Sequence, residues 1–253
     1  MAGHSKWANI KRQKARVDAA RSQVFTRLSR EIIVAARAGG DPEGNFQLRN
    51  AIDKAKAAGM PNDNIDRAIA KGAGKLDAES DNFEAIRYEG YGPGGVAILI
   101  EALTDNRNRT AADLRVSFSK NGGNLGETGC VSWMFDRKGV VTIEGSVDED
   151  KLLEASLDGG AESYQLLEDN EEEGAEVLSA VENLDSLTQA LRKSKLEVTD
   201  AQLRWIPSNT VEVTDPDQAQ LLLKLMDALE ELDDVQNVTA NFEMTDELMN
   251  LSL

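Results

Sequence analysis

Residues 139–205, GVVTIEGSVDEDKLLEASLDGGAESYQLLEDNEEEGAEVLSAVENLDSLTQALRKSKLEVTDAQLRW, carry the pattern that decides the fold. An apolar-rich strand at Gly139–Glu144 precedes helical spacing near Glu149–Leu157. Strand patterns follow at Ser163–Leu167 and Ala175–Ala180, then a helix at Leu184–Lys193 and a strand at Leu196–Trp205. Two switches from period 2 to period 3.6 give the order βαββαβ, a ferredoxin-like unit of about 70 residues that is complete in itself. Between its middle strands, Glu168–Glu173 is too dense in like charge to be buried, and reads as a solvated hairpin loop.

Outward from this unit, the flanks supply the halves of a second sandwich. Before it, strands at Phe83–Tyr91 and Val96–Thr104 are joined by Gly92-Pro93-Gly94-Gly95. A helix then runs from Thr110 to Lys120, closed by Asn121-Gly122-Gly123. After it come a strand at Thr210–Val213, a helix at Pro216–Leu232 and a strand at Val235–Phe242. The first unit is therefore inserted in the second, with crossings at Phe135–Lys138 and Pro207.

The start of the chain is helical. Projected at about 100° per residue, Ile10, Val17, Val24, Phe25, Leu28 and Ile32 form one apolar stripe. Arg12, Arg16, Arg27, Arg30 and Arg37 fall opposite, while Lys14 and Arg21 intrude on the stripe. Ala38-Gly39-Gly40-Asp41-Pro42 ends this helix. Asn45 caps a second one ending at Gly59, and a third follows Pro61 and stops at Gly72. The expected class is α+β: a helical basic domain (1–78) followed by two ferredoxin-like α/β sandwiches, one discontinuous (79–134 plus 207–253) and the other inserted in it (135–206).

Charge divides along the same lines. The chain carries 28 basic and 45 acidic residues, a net of −17. Residues 1–75 hold 15 basic against 7 acidic, a surplus of +8 that leaves −25 on the remainder. Such a head is the electrostatic footprint of a polyanion contact, and the acidic remainder points to contact at one end. With 41 % hydrophobic residues the chain can bury cores, and no apolar run reaches the roughly 18 residues of a membrane span. The expected location is the cytoplasm.

Chemistry-bearing residues are sparse. Cys130 and His4 are each the only residue of their type, so thiolate metal sites, catalytic triads and histidine clusters are unavailable. No nucleophile–base pair or phosphate loop appears, and no enzyme, metal, cofactor or small-molecule substrate is expected. Gly90-Tyr91-Gly92-Pro93-Gly94-Gly95 satisfies G-x-G-x-x-G, but a strand follows it where a dinucleotide site needs a helix N-terminus; it reads as a hairpin turn. The second and third helices have helix-turn-helix spacing, yet Asn62, Asp63, Asn64 and Asp66 would bring carboxylates to the phosphate walls of a groove, so bundle packing is the reading.

In Asp105-Asn106-Arg107-Asn108-Arg109-Thr110, two arginines crowd a helix start. Phosphate binding and neutralisation by Asp105 and Asp113 are both open there. Near the start of the chain, Lys6 suits a phosphate, and Trp7 either stacks on a base or caps the bundle core. The candidate nucleic-acid-binding residues are Lys6, Trp7, Lys11, Arg12, Lys14, Arg16, Arg27, Arg30, Arg107 and Arg109.

GHSKWANIK at the start, YEGYGPGG at Tyr88–Gly95, DNRNRT at Asp105–Thr110 and FSKNGGNLG at Phe118–Gly126 resemble the YebC/PmpR family over nearly the whole chain. The resemblance implies a helical N-terminal domain with two α/β domains, and a role in gene expression. Bacterial members are described as DNA-binding transcriptional regulators; others, including mitochondrial ones, are translational activators at the ribosome. The expected partner is DNA, or alternatively ribosomal RNA and the ribosome. A monomer is favoured.

Overall fold

The structure, a computed structural model, describes residues 20–74, 83–169 and 172–249. Among the described residues three helices come first: α1 (Ala20–Ala36), α2 (Phe46–Ala57) and α3 (Asn62–Gly72). The turns expected from Ile10 up to residue 19 lie outside the described residues. Asn45 serves both sides of the first turn. Its side chain accepts from the Leu48 N–H to cap α2, and its amide donates to the carbonyls of Ala35 and Gly39 to tie down the end of α1. Ile32, Leu48, Ile52, Met60 and Ile65 bury themselves together with Phe83, which lies beyond the third helix.

The body continues with β1 (Glu84–Tyr91), β2 (Ala97–Thr104), α4 (Arg107–Lys120) and the short β3 (Asn124–Leu125). Next come β4 (Phe135–Glu144), α5 (Glu149–Gly159), β5 (Ala161–Asp169), β6 (Glu172–Ser179), α6 (Leu184–Lys193) and β7 (Val198–Pro207). The chain closes with β8 (Val211–Glu212), α7 (Pro216–Glu230), β9 (Val235–Ala240), β10 (Phe242–Glu243) and α8 (Asp246–Met249).

Two compact units result: Asp136–Ile206, and the chain up to Phe135 together with that from Pro207. In the first, the sheet order β5-β6-β4-β7 places the unit's own strands second, third, first and fourth, the ferredoxin-like arrangement. Its helices approach closely at Gly159, where a Cβ would meet the Leu187 Cα at 2.7 Å. In the second unit, β3-β1-β2-β9 is antiparallel throughout. Ile98 and Ile100 share a core with Leu114 and Phe118 of α4 and Leu222 and Leu225 of α7. The β9–β10 strand breaks at Asn241, whose side-chain oxygen accepts from the Ala97 N–H at 2.7 Å, and β10 turns to pair in parallel with β8. Where the chain leaves and returns, the Ser208 N–H donates to the Met134 carbonyl at 2.8 Å, so the two crossings lie side by side.

The glycine-rich turn is a hairpin connection, with the Gly92 N–H on the Val96 carbonyl at 2.8 Å and Gly94 at φ +73°, a conformation that glycine adopts without strain. Gly90 is required for a different reason: a Cβ there would meet the Phe118 ring at 2.8 Å.

Candidate nucleic-acid interface

Of the candidate residues, Lys6, Trp7, Lys11, Arg12, Lys14 and Arg16 lie outside the described residues. Arg27, Arg30, Arg107 and Arg109 are described, and three of them gather at one corner of the body.

The corner is built on Asp234, in the tight connection between α7 and β9 and 6 % exposed. Its carboxylate accepts from Thr104 Oγ1 at the end of β2 (3.1 Å) and from Thr110 Oγ1 in the first turn of α4 (2.7 Å). Arg109 reaches it at 2.8 Å and Arg30 of α1 at 2.9 Å. Arg109 also pairs with Asp105 at 2.8 Å, and Arg30 donates to the Asp233 carbonyl while lying over the Phe83 ring at 5.2 Å. Burial alone would raise the Asp234 pKa; the hydrogen bonds from Arg109, Thr110 and Thr104 outweigh it and hold the carboxyl below its usual range. Arg27 packs beside the same corner. Burial lowers its pKa against the opposing pull of Glu230 and Asp233, and its Nε is buried without a hydrogen-bond partner.

This geometry corrects the expectation that Arg27 and Arg30 look outward. The face opposite the apolar stripe of α1 meets the acidic Glu230–Asp234 segment, and the two arginines turn into it. Their counter-charges lie some 200 positions away, beyond the reach of any local projection. Arg109, though exposed, is likewise paired within the molecule, by Asp105 as anticipated and by Asp234, which was not.

Arg107 differs. Its side chain is 68 % exposed and its partner, Glu84 at 3.7 Å, is 58 % exposed. The helix carrying it begins three residues earlier than the spacing indicated, because Asn106 caps it by accepting from the Arg109 N–H at 3.1 Å. The DNRNRT run is thus a capped first turn whose unpaired N–H groups are partly satisfied from within.

A second buried carboxylate organises the neighbouring loop. Glu89, 3 % exposed, accepts from the backbone N–H groups of Gly129, Val131 and Ser132, each at 2.8 Å. Burial again opposes ionisation, and the three backbone donors more than offset it, leaving the pKa below the ordinary value. Tyr91 donates its hydroxyl to the Cys130 carbonyl at 3.0 Å, as does the Trp133 indole at 3.1 Å. Trp133 nevertheless stands 69 % exposed. The sequence reading missed both carboxylates as organising residues. A Glu amid alternating apolar strand residues was the only local signal for Glu89.

Asn62, Asp63, Asn64 and Asp66 are all exposed at the opening of α3. Among the described residues no helix is long and apolar enough to cross a membrane, and no group of three or more His, Cys, Asp or Glu is placed to hold a metal.

Leading helices packed with one α/β sandwich, and a ferredoxin-like sandwich inserted in that unit, define a mixed helix-and-sheet protein of two compact units. Two family models match it. The "TACO1/YebC protein N-terminal domain" matches residues 5–75, and the "TACO1/YebC second and third domain" matches residues 83–242. The chain belongs to the TACO1/YebC family. It is 72 % identical over its whole length to a "Probable transcriptional regulatory protein" of Trichormus variabilis, covering 99 % of it. A protein of the same description in Nostoc punctiforme is 71 % identical, with both chains covered fully. The crystal structure of a conserved hypothetical protein from Aquifex aeolicus superposes with a TM-score of 0.82 at 48 % identity, over 92 % of this chain and 94 % of that one.

Proposed function

We propose that the protein is a cytoplasmic, non-enzymatic regulator of gene expression that binds DNA through its basic head, residues 1–78, as a monomer and without a cofactor. The observation that carries this reading is the +8 head on a −25 remainder; the regulator description of its relatives agrees with it. With Arg30 engaged by Asp233 and Asp234 and Arg27 half-buried in the field of Glu230 and Asp233, phosphate contact falls to Lys6, Lys11, Arg12, Lys14 and Arg16, with Trp7 as a stacking surface.

Replacing Lys11, Arg12, Lys14 and Arg16 together with Gln tests it. Duplex binding is expected to weaken and its salt dependence to flatten by about 0.9 in log K for each phosphate no longer neutralised; unchanged binding refutes it.

A second reading, ribosomal RNA as the polyanion and a role in translation, is favoured by the exposed carboxylates Asp63 and Asp66. They oppose entry of α3 into a DNA groove and are no obstacle to shape-led contact with RNA. Co-sedimentation with ribosomes at moderate salt supports this reading; protein that stays free throughout counts against it.

A further inference from the structure

The inserted unit is acidic on balance, with 18 acidic against 7 basic residues over 136–206, a net of −11. One of its helices nevertheless leaves apolar side chains in water. Among the described residues, Leu157 of α5 is the most exposed large hydrophobic side chain, at 71 %, and Leu153, one turn earlier, is exposed as well. The inward side of α5 is complete without them. Leu152, Ala155, Ser156 and Gly159 are buried there, and α6 closes on that side, with the Ser186 hydroxyl donating to the Gly159 carbonyl at 3.1 Å.

Projected at about 100° per residue, Leu153 and Leu157 lie about 40° apart on the outward side and form an i, i+4 ridge. Glu149 borders the ridge beside Leu153; Asp150, Glu154 and Asp158 follow in that order beyond Leu157, and all four are exposed. Tyr164 of the edge strand β5 donates its hydroxyl to Glu149 at 3.1 Å, which holds that carboxylate at the margin. The only cation of the helix, Lys151, is paired with Asp148 at 3.2 Å. The result is an apolar ridge with negative charge along both margins.

We propose that this ridge docks an amphipathic helix of a partner protein, one with apolar residues at helical spacing and lysine or arginine on either side of them. A helix seats on an i, i+4 ridge by fitting its own side chains into the adjoining grooves. Unlike charges along the margins then fix its register, as they do beside the seam of a coiled coil. Charge also disfavours the other occupants. Four carboxylates repel a nucleic-acid backbone, and a second copy of this chain would set the same carboxylates against themselves. Lipid headgroups favour helices whose polar face is basic, the reverse of this one. The ridge lies outside the basic head, and the proposal stands apart from the DNA-binding reading.

The probe is a labelled peptide of leucine and lysine with leucines at i, i+3, i+4 and i+7, titrated against the full chain; a scrambled peptide of the same composition is the control. The helical peptide is expected to bind roughly tenfold more tightly than the scrambled one. Leu153→Ser/Leu157→Ser, at two exposed positions, is expected to lose about tenfold in affinity with unchanged circular dichroism. Asp150→Asn/Glu154→Gln/Asp158→Asn is expected to weaken binding and flatten its salt dependence, and Leu221→Ser, an exposed leucine of α7, to have no effect. Equal binding of the two peptides, or unaltered binding by the folded leucine variant, overturns the proposal. So does concentration-dependent dimerisation of the wild type, or binding to lipid vesicles, that the leucine variant loses: either one assigns the ridge to another occupant. Each of these outcomes leaves the reading of the head untouched.

Discussion

The corner at Asp234 and the loop above Glu89 each bury a carboxylate, and they hold it by opposite means. Asp234 draws on side chains from three separate segments, two arginines and two threonines in all, and so fastens the helical head to the body. Glu89 receives three backbone N–H groups from a single stretch of four residues and shapes that loop alone. Both carboxyls are pushed below their usual pKa against the resistance of burial. Charge pairing across distant segments joins parts of the architecture; backbone donors from one turn make a local shape.

The contrast can be broken most decisively at the corner. Asp234→Ala leaves Arg30 and Arg109 facing a hole, and is expected to cost about 3–5 kcal/mol, the usual loss when a buried pair is halved. Thermal unfolding is expected to report it, with proteolysis appearing first in α1; a loss confined to a few tenths of a kcal/mol would show that the clasp is ornamental. Glu89→Gln keeps one acceptor oxygen for three donors and is expected to cost less, about 1–3 kcal/mol. Hydrogen exchange should accelerate at Gly129–Ser132 and not in α1; equal acceleration in both would merge the two regions.

Acid sharpens the comparison. A carboxyl with a depressed folded pKa contributes stability above its unfolded value, and that contribution disappears as pH falls through the folded pKa. Stability of the wild type is therefore expected to decline below the ordinary carboxylate range. A Glu89→Gln/Asp234→Asn variant, unable to take up those protons, is expected to decline less steeply over the same window. Parallel curves from denaturant titrations at successive pH values would assign the acid sensitivity elsewhere. Smallest is the effect of Trp133→Ala. The exposed indole stands on a loop already held by Glu89 and Tyr91, so its loss is expected within about 0.5 kcal/mol; a larger drop in melting temperature would make Trp133 part of the loop's support.

Much of the architecture was legible because it is local. The inserted unit's alternation between strand and helix periods is repeated faithfully by β4 to β7, and α6 spans Leu184–Lys193 as its spacing indicated. The hairpin reading of Gly90–Gly95 likewise needed only the apolar strand that follows it. Errors entered at element ends, as in α4, where the Asn106 cap moved the start back to Arg107, and in the two-residue strand β3, too short to carry a period. The candidate site was less legible. A helical projection ranks residues by direction from the axis and carries no record of what stands opposite, so Arg27 and Arg30 looked as free as any residue facing away from the apolar stripe.

By itself, the order of residues determined the class of fold, the insertion of one sandwich in the other and the lopsided charge, since periodicity, turn chemistry and composition are properties of neighbouring residues. Only the tertiary structure decided which arginines are consumed inside and which face water. That choice depends on Asp234 arriving beside Arg30 from 204 residues away, and charges so far apart along a chain meet only once packing has brought their segments together.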